Sequence, residues 1–332
     1  MTRSRLSGRP LLGNRADADL FVGRTAELTL AGRAVHDRLN CVITGAQGSG
    51  RTSFSHLVLA ELAEPHVLIR GGAATNAADL LRRIAVELSA DSKPEEPEQA
   101  AIWRSSTDPA ELIDDIRLLA ERLDTVVIAI DDVPADAGFE LFGWHRDELW
   151  NIPACWLVTV SASHRSSLLR PPADVFFEVI VDLPALTDTE SMSLLCSRID
   201  DAAAITAGGS EAAARDDALR GVVEVGAGNP RRLIELARQL STAEPAAAAA
   251  GLETVRRREA ALAGSSVPAR MLAAELEYLG GASASDAVLL DRLGWTRARA
   301  VQVLKELEKV GLVTTTDERA GKGRPRKIYR LS

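Results

Sequence analysis

Aromatic residues and cysteines are both scarce in this chain. Phe, Trp and Tyr make up 4% of the residues, and the three cysteines, Cys41, Cys155 and Cys196, are far apart with no Cys-x-x-Cys pair. Their spacing argues against a disulfide framework or a zinc site, so they are interpreted as buried thiols of a reducing compartment. No run of about 18 apolar residues that could span a membrane is found, and no apolar segment follows residues 1–5. We therefore expect a cytoplasmic protein that does not enter the membrane.

Acidic residues outnumber basic residues overall, but not along the whole chain. The formal net charge is −8. Residues 265–332 nevertheless hold twelve Lys and Arg against eight Asp and Glu, so the negative charge belongs to the residues before them. The 332 residues suffice for two or three domains, and 46% apolar with 26% charged residues is ordinary for a globular protein. The split predicts an acidic body and a basic end that could face nucleic acid.

A glycine-rich segment between a strand-like run and a helix-like run is the most informative stretch. The apolar residues 41–43 precede the pattern Gly-x-x-x-x-Gly-Arg-Thr at 45–52, and apolar residues at helical spacing follow from Phe54. This order predicts a phosphate-binding loop, because the glycines let backbone N–H groups point inward and the helix N-terminus attracts anions. A glycine-rich turn without a ligand is the alternative. The predicted nucleotide ligands are Gly45, Gln47, Gly48, Ser49, Gly50, Arg51, Thr52 and Ser53.

One position of this loop departs from the usual pattern. Arg51 stands where a lysine normally contacts the phosphates, so a wide planar guanidinium replaces a compact ammonium. The positive charge is kept but its geometry is not, which favours weak hydrolysis. The next residue, Thr52, fits the pattern, and its hydroxyl is predicted to contact Mg²⁺.

A second apolar run ends in two carboxylates. Residues 126–130 are wholly apolar and are followed by Asp131 and Asp132. Such a run is typical of a parallel strand buried on both faces, and the carboxyl end of such a strand lies where open α/β sheets bind ligands. The stretch resembles a Walker B element, which implies that Asp131 holds Mg²⁺ and that Asp132 polarises the attacking water. A strand that ends in aspartates without a ligand is the alternative.

Two further matches make the resemblance more specific. Residues 21–24, Phe-Val-Gly-Arg, resemble the segment before the phosphate loop of AAA+ and STAND ATPases, where it packs by the adenine. Residues 228–231, Gly-Asn-Pro-Arg, resemble the helical-lid signature of origin-recognition initiators, archaeal-type ATPases and STAND proteins. The chain is therefore similar to these families over about residues 20–240. The resemblance implies ATP or ADP with Mg²⁺ as cofactors, bound also by Phe21, Val22 and Arg231, with Arg232 as the alternative to Arg231.

The same resemblance assigns roles after the carboxylates. Residues 155–161 lie in the position of the sensor-1 strand of AAA+ proteins, which implies that Thr159 or Ser161 contacts the γ-phosphate or the attacking water. A hydroxyl satisfied within the strand is the alternative. Arg165 and Arg170 follow in a region that supplies a trans-acting arginine finger in many oligomeric AAA+ ATPases. The predicted catalytic residues are Asp132, Thr159 and Arg170.

The tail has three helix-like segments followed by two short strands. Ser285 and Thr296 are the predicted N-caps of the second and third helices, and Gly311 is predicted to end the third. The stretch between and into the strands, residues 319–330, contains six basic and no acidic residues. This plan resembles bacterial winged-helix DNA-binding domains.

A winged helix of this kind would bind double-stranded DNA. Its basic hairpin would neutralise phosphates, and its third helix would enter the major groove. A winged helix used for protein contacts is the alternative. The predicted DNA-binding residues are Arg297, Arg299, Gln302, Lys305, Lys322, Arg324, Arg326 and Lys327.

The predicted fold class is α/β: a P-loop αβα parallel sheet with a helical lid, followed by an α+β winged helix. The expected boundaries are a flexible basic arm at 1–20, an ATPase core at 21–185, a lid at 186–240, an alanine-rich linker at 241–264 and the winged helix at 265–332. We expect an ATP-binding, DNA-binding protein that hydrolyses ATP weakly and whose nucleotide state controls DNA binding or assembly. A homo-oligomer or a partner protein is also expected. The alternative is a non-hydrolysing regulator or oligomerisation scaffold.

Overall fold

The computed structural model divides the chain into two compact units, Met1–Arg238 and Gln239–Ser332. It describes residues 6–14, 17, 19–62, 65–91, 106–123, 125–199, 209–242, 253–254, 256–258, 260–318 and 326–331. The first unit contains the glycine-rich loop, and the second contains the basic tail. Within the described ranges, no helix combines the length and the apolar character needed to cross a membrane.

A five-stranded parallel sheet forms the centre of the first unit. The strands are β1 Cys41–Gly45, β2 His66–Arg70, β3 Val126–Asp131, β4 Ala154–Ser161 and β5 Val179–Leu183. Their order across the sheet is β2-β3-β4-β1-β5, so β1 and β3, which lead into the predicted site, both lie beside β4. Every residue of β1 and β3 is buried, as expected for strands covered on both faces. The predicted αβα parallel sheet is confirmed.

Helices cover both faces of this sheet. On one face lie α1 Thr25–His36 and α2 Arg51–Ala60, and on the other lie α3 Ala77–Asp91 and α4 Pro109–Glu121. Successive strand residues point to opposite faces of the sheet. Ile43 packs with α1 and α2, while Val42 packs with α3 and α4. Each strand is therefore apolar throughout rather than alternating.

Two of the three cysteines are buried as expected. Burial raises the pKa of Cys41 and of Cys155 to about 12, so both remain unreactive thiols. The expectation is wrong for Cys196, which is exposed on a helix of the lid. Apolar periodicity around this residue is weak, so the sequence does not indicate whether the cysteine lies on the buried or the exposed face of the helix.

The chain between β3 and β5 contains helical turns that apolar periodicity does not indicate. These are α5 Ala135–Phe139, a π-helical turn Glu140–Trp144, α6 Arg146–Leu149, α7 Arg165–Leu168 and a 3-10 turn Ala173–Phe176. The strand that follows these turns, β5, begins only at Val179. Phe176 lies outside it, and its ring packs 5.0 Å from the Phe142 ring in a buried aromatic cluster.

Three helices follow β5 as a lid. They are α8 Asp188–Arg198, α9 Gly209–Gly226 and α10 Pro230–Thr242. The capping box that starts α8 is present, with Thr187 and Glu190 each binding the other's backbone N–H. The left-handed Gly228 lies between α9 and α10, and its carbonyl accepts the Leu186 N–H at 2.9 Å. The lid turn is thus tied to the segment that leaves the sheet, and the helical lid of the predicted fold class is confirmed.

The second unit consists of three helices and a two-stranded antiparallel sheet. The elements are α11 Val267–Leu279, α12 Ala287–Leu293, α13 Arg297–Lys309, β6 Val313–Glu318 and β7 Arg326–Leu331. The helices and the sheet share one core, in which Leu272, Leu289 and Leu304 are fully buried. Three helices followed by a hairpin is the predicted order. The turn of the hairpin, residues 319–325, lies outside the described residues.

Two of the three predicted helix boundaries in this unit are confirmed. Thr296 caps α13 through its side chain, and Gly311 follows the end of this helix with φ 71°. Ser285 is wrong as the N-cap of α12, because Asp286 takes that place and its carboxylate accepts two backbone N–H groups. An ionised carboxylate is the stronger acceptor of two adjacent candidates, which explains the shift by one residue.

Part of the segment predicted to be a flexible arm packs against α2. Leu11 is buried, and its N–H donates to the Ser53 hydroxyl at 3.0 Å. Both Nη atoms of Arg9 donate to the carboxylate of Asp17, with Nη1 2.7 Å from Oδ2. The same carboxylate accepts the backbone N–H of Leu12 at 2.9 Å. The prediction for residues 1–20 is therefore corrected for this stretch, while residues 1–5, 15, 16 and 18 lie outside the described ones.

The Asp17 carboxylate should contribute stability that depends on pH. Its side chain is 2% exposed, and the hydrogen bond from Arg9 holds its pKa at about 2. Because this value lies below that of the unfolded chain, about 3.9, the contribution is complete above about pH 5 and is lost as pH falls towards 2. We expect Asp17→Asn to lower the free energy of unfolding by about 2 kcal/mol at pH 7, as measured by urea denaturation.

The matched control for this prediction is Asp114→Asn. The Asp114 carboxylate is 73% exposed in its pair with Arg117, so its removal should change little. The difference between the parent and Asp17→Asn should shrink between pH 5 and pH 2. A difference that stays constant over that range would show that the ion pair is not the cause.

Candidate functional site

The glycine-rich loop joins β1 to α2 through two left-handed glycines. Gly48 has φ 79° and Gly50 has φ 92°, values that residues with a Cβ rarely adopt. A tight turn lies between them and β1, where the Ala46 carbonyl accepts the Ser49 N–H at 3.0 Å. The loop therefore runs directly into the N-terminus of α2, where Arg51 is the first residue. Backbone N–H groups and a helix N-terminus at one place make a site for anions.

One carboxylate links this loop to the neighbouring strands. Thr52 Oγ1 donates to Asp131 Oδ2 at 2.8 Å, and Thr159 Oγ1 donates to Asp131 Oδ1 at 2.9 Å. The Thr159 hydroxyl also accepts the backbone N–H of Asp132 at 2.7 Å. The two residues predicted to hold Mg²⁺, Thr52 and Asp131, thus lie side by side, and Thr159 supports them from β4.

This network gives Thr159 a positioning role. A threonine hydroxyl has one hydrogen, and Thr159 donates it to Asp131 from a position 1% exposed. The geometry does not support the predicted contact of Thr159 with the γ-phosphate or the water, and it matches the alternative of a hydroxyl satisfied within the sheet. The other candidate, Ser161, is partly exposed, and its Oγ lies 3.0 Å from Ser163 Oγ.

The guanidinium of Arg51 is folded back onto its own loop. Nη1 donates to the carbonyls of Gly45 at 2.6 Å and of Ala46 at 3.1 Å. Nη2 donates to Asp132 Oδ1 at 2.9 Å. Asp132, the predicted catalytic carboxylate, has φ 57° and a side chain that is 60% exposed. Arg51 therefore stabilises the loop and forms an ion pair with Asp132.

Arg24 is a site residue that the sequence analysis did not assign. It is 5% exposed, and it donates from Nη1 to the Ser49 carbonyl and from Nη2 to the Pro184 carbonyl at 3.1 Å. Burial lowers the pKa of its guanidinium. The Phe-Val-Gly-Arg match contained this arginine, but a partner 25 residues away in the loop cannot be inferred from a four-residue pattern.

The turn at the start of α10 contacts the glycine-rich loop. Asn229 Nδ2 donates to the Gln47 carbonyl at 2.8 Å, and the Arg231 N–H donates to the Gly48 carbonyl at 3.2 Å. A Cβ on Gly48 would lie 2.7 Å from Asn229 Oδ1, so only glycine allows this approach. The Gly-Asn-Pro-Arg segment therefore binds the loop backbone directly. The Asn229 contribution was not predicted.

A cleft lies between the loop, the lid and the N-terminal segment. Its interior volume is about 120 Å³, below the range of about 300–1,000 Å³ that is usual for small-molecule pockets. Apolar side chains and the loop both line it. Of the predicted nucleotide ligands, those that line the cleft are Phe21, Val22, Gly48, Ser49, Gly50, Arg51, Thr52, Ser53 and Arg231. Gly45 and Gln47 do not line it, and their carbonyls bind Arg51 and Asn229.

The residues present fit a magnesium–nucleotide complex. The hydroxyl of Thr52 and the carboxylate of Asp131 are hard oxygen ligands of the kind that Mg²⁺ prefers. Among the described residues, no group of three or more His, Cys, Asp or Glu could hold a metal alone. A cation here would therefore need further oxygens from phosphate and water, as Mg²⁺ sites in nucleotide-binding proteins do.

Two solved structures are similar to this chain in fold. The Orc1 protein of Aeropyrum pernix, solved in complex with DNA, is 16% identical over 99% of this chain and 93% of its own, with a TM-score of 0.51. A Walker-type ATPase of Pyrococcus abyssi is 14% identical over 98% of this chain and 97% of its own, with a TM-score of 0.58. The chain has the AAA+ fold. No protein-family model and no curated protein matches the sequence.

The two candidate arginine fingers of this AAA+ fold contact their own chain. Arg165 Nη1 lies 2.8 Å from both carboxylate oxygens of Asp182. The guanidinium of Arg170 lies 3.8 Å from the centre of the Phe139 ring. Arg170 is nevertheless exposed, so its role toward a second copy remains a prediction.

The predicted DNA-binding residues of the second unit fall into two groups. Those on α13 are all exposed, opposite the buried face of that helix: Arg297, Arg299, Gln302 and Lys305. Within this group, Arg299 Nη1 donates to Gln302 Oε1 at 2.9 Å. In the hairpin, Arg326 pairs with Asp286 at 3.2 Å and Lys327 with Glu308 at 2.9 Å. Lys322 and Arg324 lie outside the described residues.

Removing the Thr159 hydroxyl should destabilise the fold. Thr159→Val keeps the shape but leaves Asp131 Oδ1 without its donor and the Asp132 N–H without an acceptor, at a cost of about 1–3 kcal/mol. The measurement is urea denaturation of the parent and the variant. Ser161→Ala is the control on the same strand, because it removes a partly exposed hydroxyl and should change the free energy of unfolding little. Equal effects of the two changes would contradict the positioning role.

Proposed function

We propose that this chain binds ATP or ADP with Mg²⁺ and that its nucleotide state controls binding to double-stranded DNA. The observation that carries the first half is the pair formed by Thr52 Oγ1 and Asp131 Oδ2, 2.8 Å apart at the start of α2. A hydroxyl and a carboxylate at this point of a glycine-rich loop are the two protein ligands that P-loop enzymes offer to Mg²⁺.

The rest of the cleft supports a nucleotide rather than a free phosphate. Beyond the loop, its wall is formed by apolar side chains that suit a base, among them Leu11, Phe21, Val22, Leu186, Leu194 and Ile234. Arg231 from α10 also lines the cleft. Donors for an anion and apolar side chains in one cleft match the two chemical characters of a nucleotide.

Hydrolysis by this site would be slow. A bound Mg²⁺ would supply charge neutralisation on the phosphates. Asp132 is the carboxylate that could polarise water, but it is paired with Arg51. Arg51 itself is occupied by two loop carbonyls. These contacts favour weak turnover, and the rival of a non-hydrolysing regulator or scaffold rests on the same contacts.

Nucleotide should stabilise the protein. Because a ligand that binds only the folded state adds about 2.7 kcal/mol at a hundredfold excess over Kd, millimolar ATP or ADP with Mg²⁺ should raise the melting temperature by about 5–10 °C. Thr52→Ala should remove the part of this rise that EDTA also removes. Differential scanning fluorimetry with and without EDTA measures both.

A matched substitution controls for loss of a helix-surface threonine. Thr29→Ala removes a hydroxyl that donates only to the Thr25 carbonyl on α1, so its nucleotide response should equal that of the parent. If neither ATP nor ADP shifts the melting temperature of the parent, the chain does not bind nucleotide, and the scaffold function replaces the proposal.

The second unit supports the DNA half of the proposal. Its three helices and hairpin are interpreted as a winged helix, in which α13 would enter the major groove. The exposed face of α13 presents three cations and one amide, Arg297, Arg299, Lys305 and Gln302. The ion pairs of Arg326 and Lys327 lie at the surface, where exchange of a carboxylate for a phosphate costs little. A protein-contact module remains the rival for this unit.

DNA binding should weaken steeply with salt. Lys322→Ala with Arg324→Ala should lower affinity for all duplexes alike and reduce the slope of log K against log salt by about 1 for each side chain. Arg326 is left in place because it bonds Ser283 and Asp286 within the unit. Arg299→Ala should instead change the preference among sequences, since α13 residues could reach base edges. Fluorescence anisotropy over a salt series measures each effect.

The control for charge is Arg220→Ala with Arg257→Ala. Both arginines are exposed, at 71% and 80%, and both pair with an acidic residue on their own helix. This variant has the same net charge as the hairpin variant, Lys322→Ala with Arg324→Ala. Because its hairpin is unchanged, it should keep the parental slope. Equal DNA binding by the parent and the hairpin variant at every salt concentration would overturn the DNA half of the proposal.

A further inference from the structure

Arg51 has two kinds of partner in this site. Its Nη1 donates to two carbonyls of the loop, those of Gly45 and Ala46, and its Nη2 donates to the Asp132 carboxylate. The side chain is 12% exposed, and its Nε is buried without a hydrogen-bond partner. The loop carbonyls belong to the fold of the loop itself. The carboxylate, which is 60% exposed, is the partner that an incoming anion can replace.

Asp132 is held in position for this contact by its backbone. Its φ of 57° is in the left-handed region, and its N–H donates to Thr159 Oγ1 at 2.7 Å. Behind it, a Cβ on Gly71 would lie 3.2 Å from the Asp132 carbonyl, and a Cβ on Gly72 would lie 3.5 Å from Asp132 Oδ2. The backbone and its neighbours therefore direct the carboxylate toward Arg51.

We propose that the Asp132 carboxylate competes with the phosphate of the nucleotide for binding to Arg51. One of the two Nη2 hydrogens of Arg51 is bonded to the Asp132 carboxylate. An anion that takes this hydrogen must displace the carboxylate, so the ion pair lowers nucleotide affinity. The same exchange releases Asp132 from its partner only when phosphate is present. Water activation by Asp132 would then be linked to occupation of the site. This inference rests on the proposed nucleotide binding and adds a restraint to it.

The shape of arginine makes this exchange possible. A guanidinium has donors on separate nitrogens in a fixed plane, so Nη1 can keep its loop carbonyls while Nη2 changes its acceptor. A half-exposed ion pair is weak, so phosphate can displace the carboxylate. The ion pair is therefore expected to lower nucleotide affinity without preventing binding.

The test is Asp132→Asn. Asparagine keeps the size and the backbone N–H, and it tolerates the left-handed conformation, but it lacks the charge that holds Nη2. We expect Mg²⁺–ATP to bind the variant about two- to fivefold more tightly than the parent, which is the factor that an exposed ion pair is worth. Isothermal titration calorimetry of the full chain measures this without any turnover.

Two further variants separate the ion pair from a general effect of charge. Asp182→Asn removes a carboxylate that is 58% exposed and also paired with an arginine, Arg165, at the same edge of the sheet. It should bind ATP as the parent does. In an Arg51→Gln background, Asp132→Asn should give no gain, because there is no guanidinium to release.

The outcomes separate this inference from the proposed function. Two results would contradict the competition while nucleotide binding stands. In the first, the parent binds ATP and Asp132→Asn binds it no more tightly. In the second, Asp182→Asn gains as much affinity for ATP as Asp132→Asn does. A gain that persists with Arg51→Gln also overturns it. If Asp132→Asn binds where the parent does not, the competition is supported and the proposed nucleotide binding by the parent is wrong. If neither the parent nor Asp132→Asn binds, the proposed function fails and the competition fails with it.

Discussion

The carbonyl groups of the glycine-rich loop determine what the site can do. From Gly45 to Ser49, every backbone carbonyl accepts a hydrogen bond from a donor of the protein. The donors are the Arg51 and Arg24 guanidinium groups, the Asn229 amide and the backbone N–H groups of Arg231, Ser49 and Ala162. Because the carbonyls are occupied, the peptide planes are fixed. The Ser49 N–H is used within the loop, and the other loop N–H groups are the candidates for binding an anion. The left-handed Gly48 and Gly50 make this orientation possible.

The same loop is attached to the sheet through one side chain. Asp131 receives the hydroxyls of Thr52 from α2 and of Thr159 from β4, so three elements meet at one carboxylate. Since parallel strands place their carboxyl ends at one edge of the sheet, this meeting follows from the strand order β2-β3-β4-β1-β5. The support of the loop and the predicted cation site are therefore the same group of atoms.

The elements of the fold were more predictable than the contacts of the site. Fully apolar runs indicate β1, β3 and β4, since strands buried on both faces need no alternation, and the Thr187–Glu190 capping box marks the start of α8. The partners of Arg51, by contrast, include Asp132, 81 residues away, and no local pattern encodes that distance. The packing of Leu11 was missed for the same reason, because its N–H donates to the Ser53 hydroxyl, 42 residues away.

Arginine in place of the phosphate-loop lysine changes more than the shape of one ligand. A guanidinium can bind several acceptors at once, and Arg51 uses this capacity on the Gly45 and Ala46 carbonyls and on Asp132. One side chain thus braces the loop, neutralises the exposed carboxylate and faces the cleft. A new contact of Arg51 with phosphate would therefore replace either its bonds to the loop carbonyls or its ion pair with Asp132. The weak pairing to Asp132 gives way more easily than the short bond to Gly45, which is part of the loop itself.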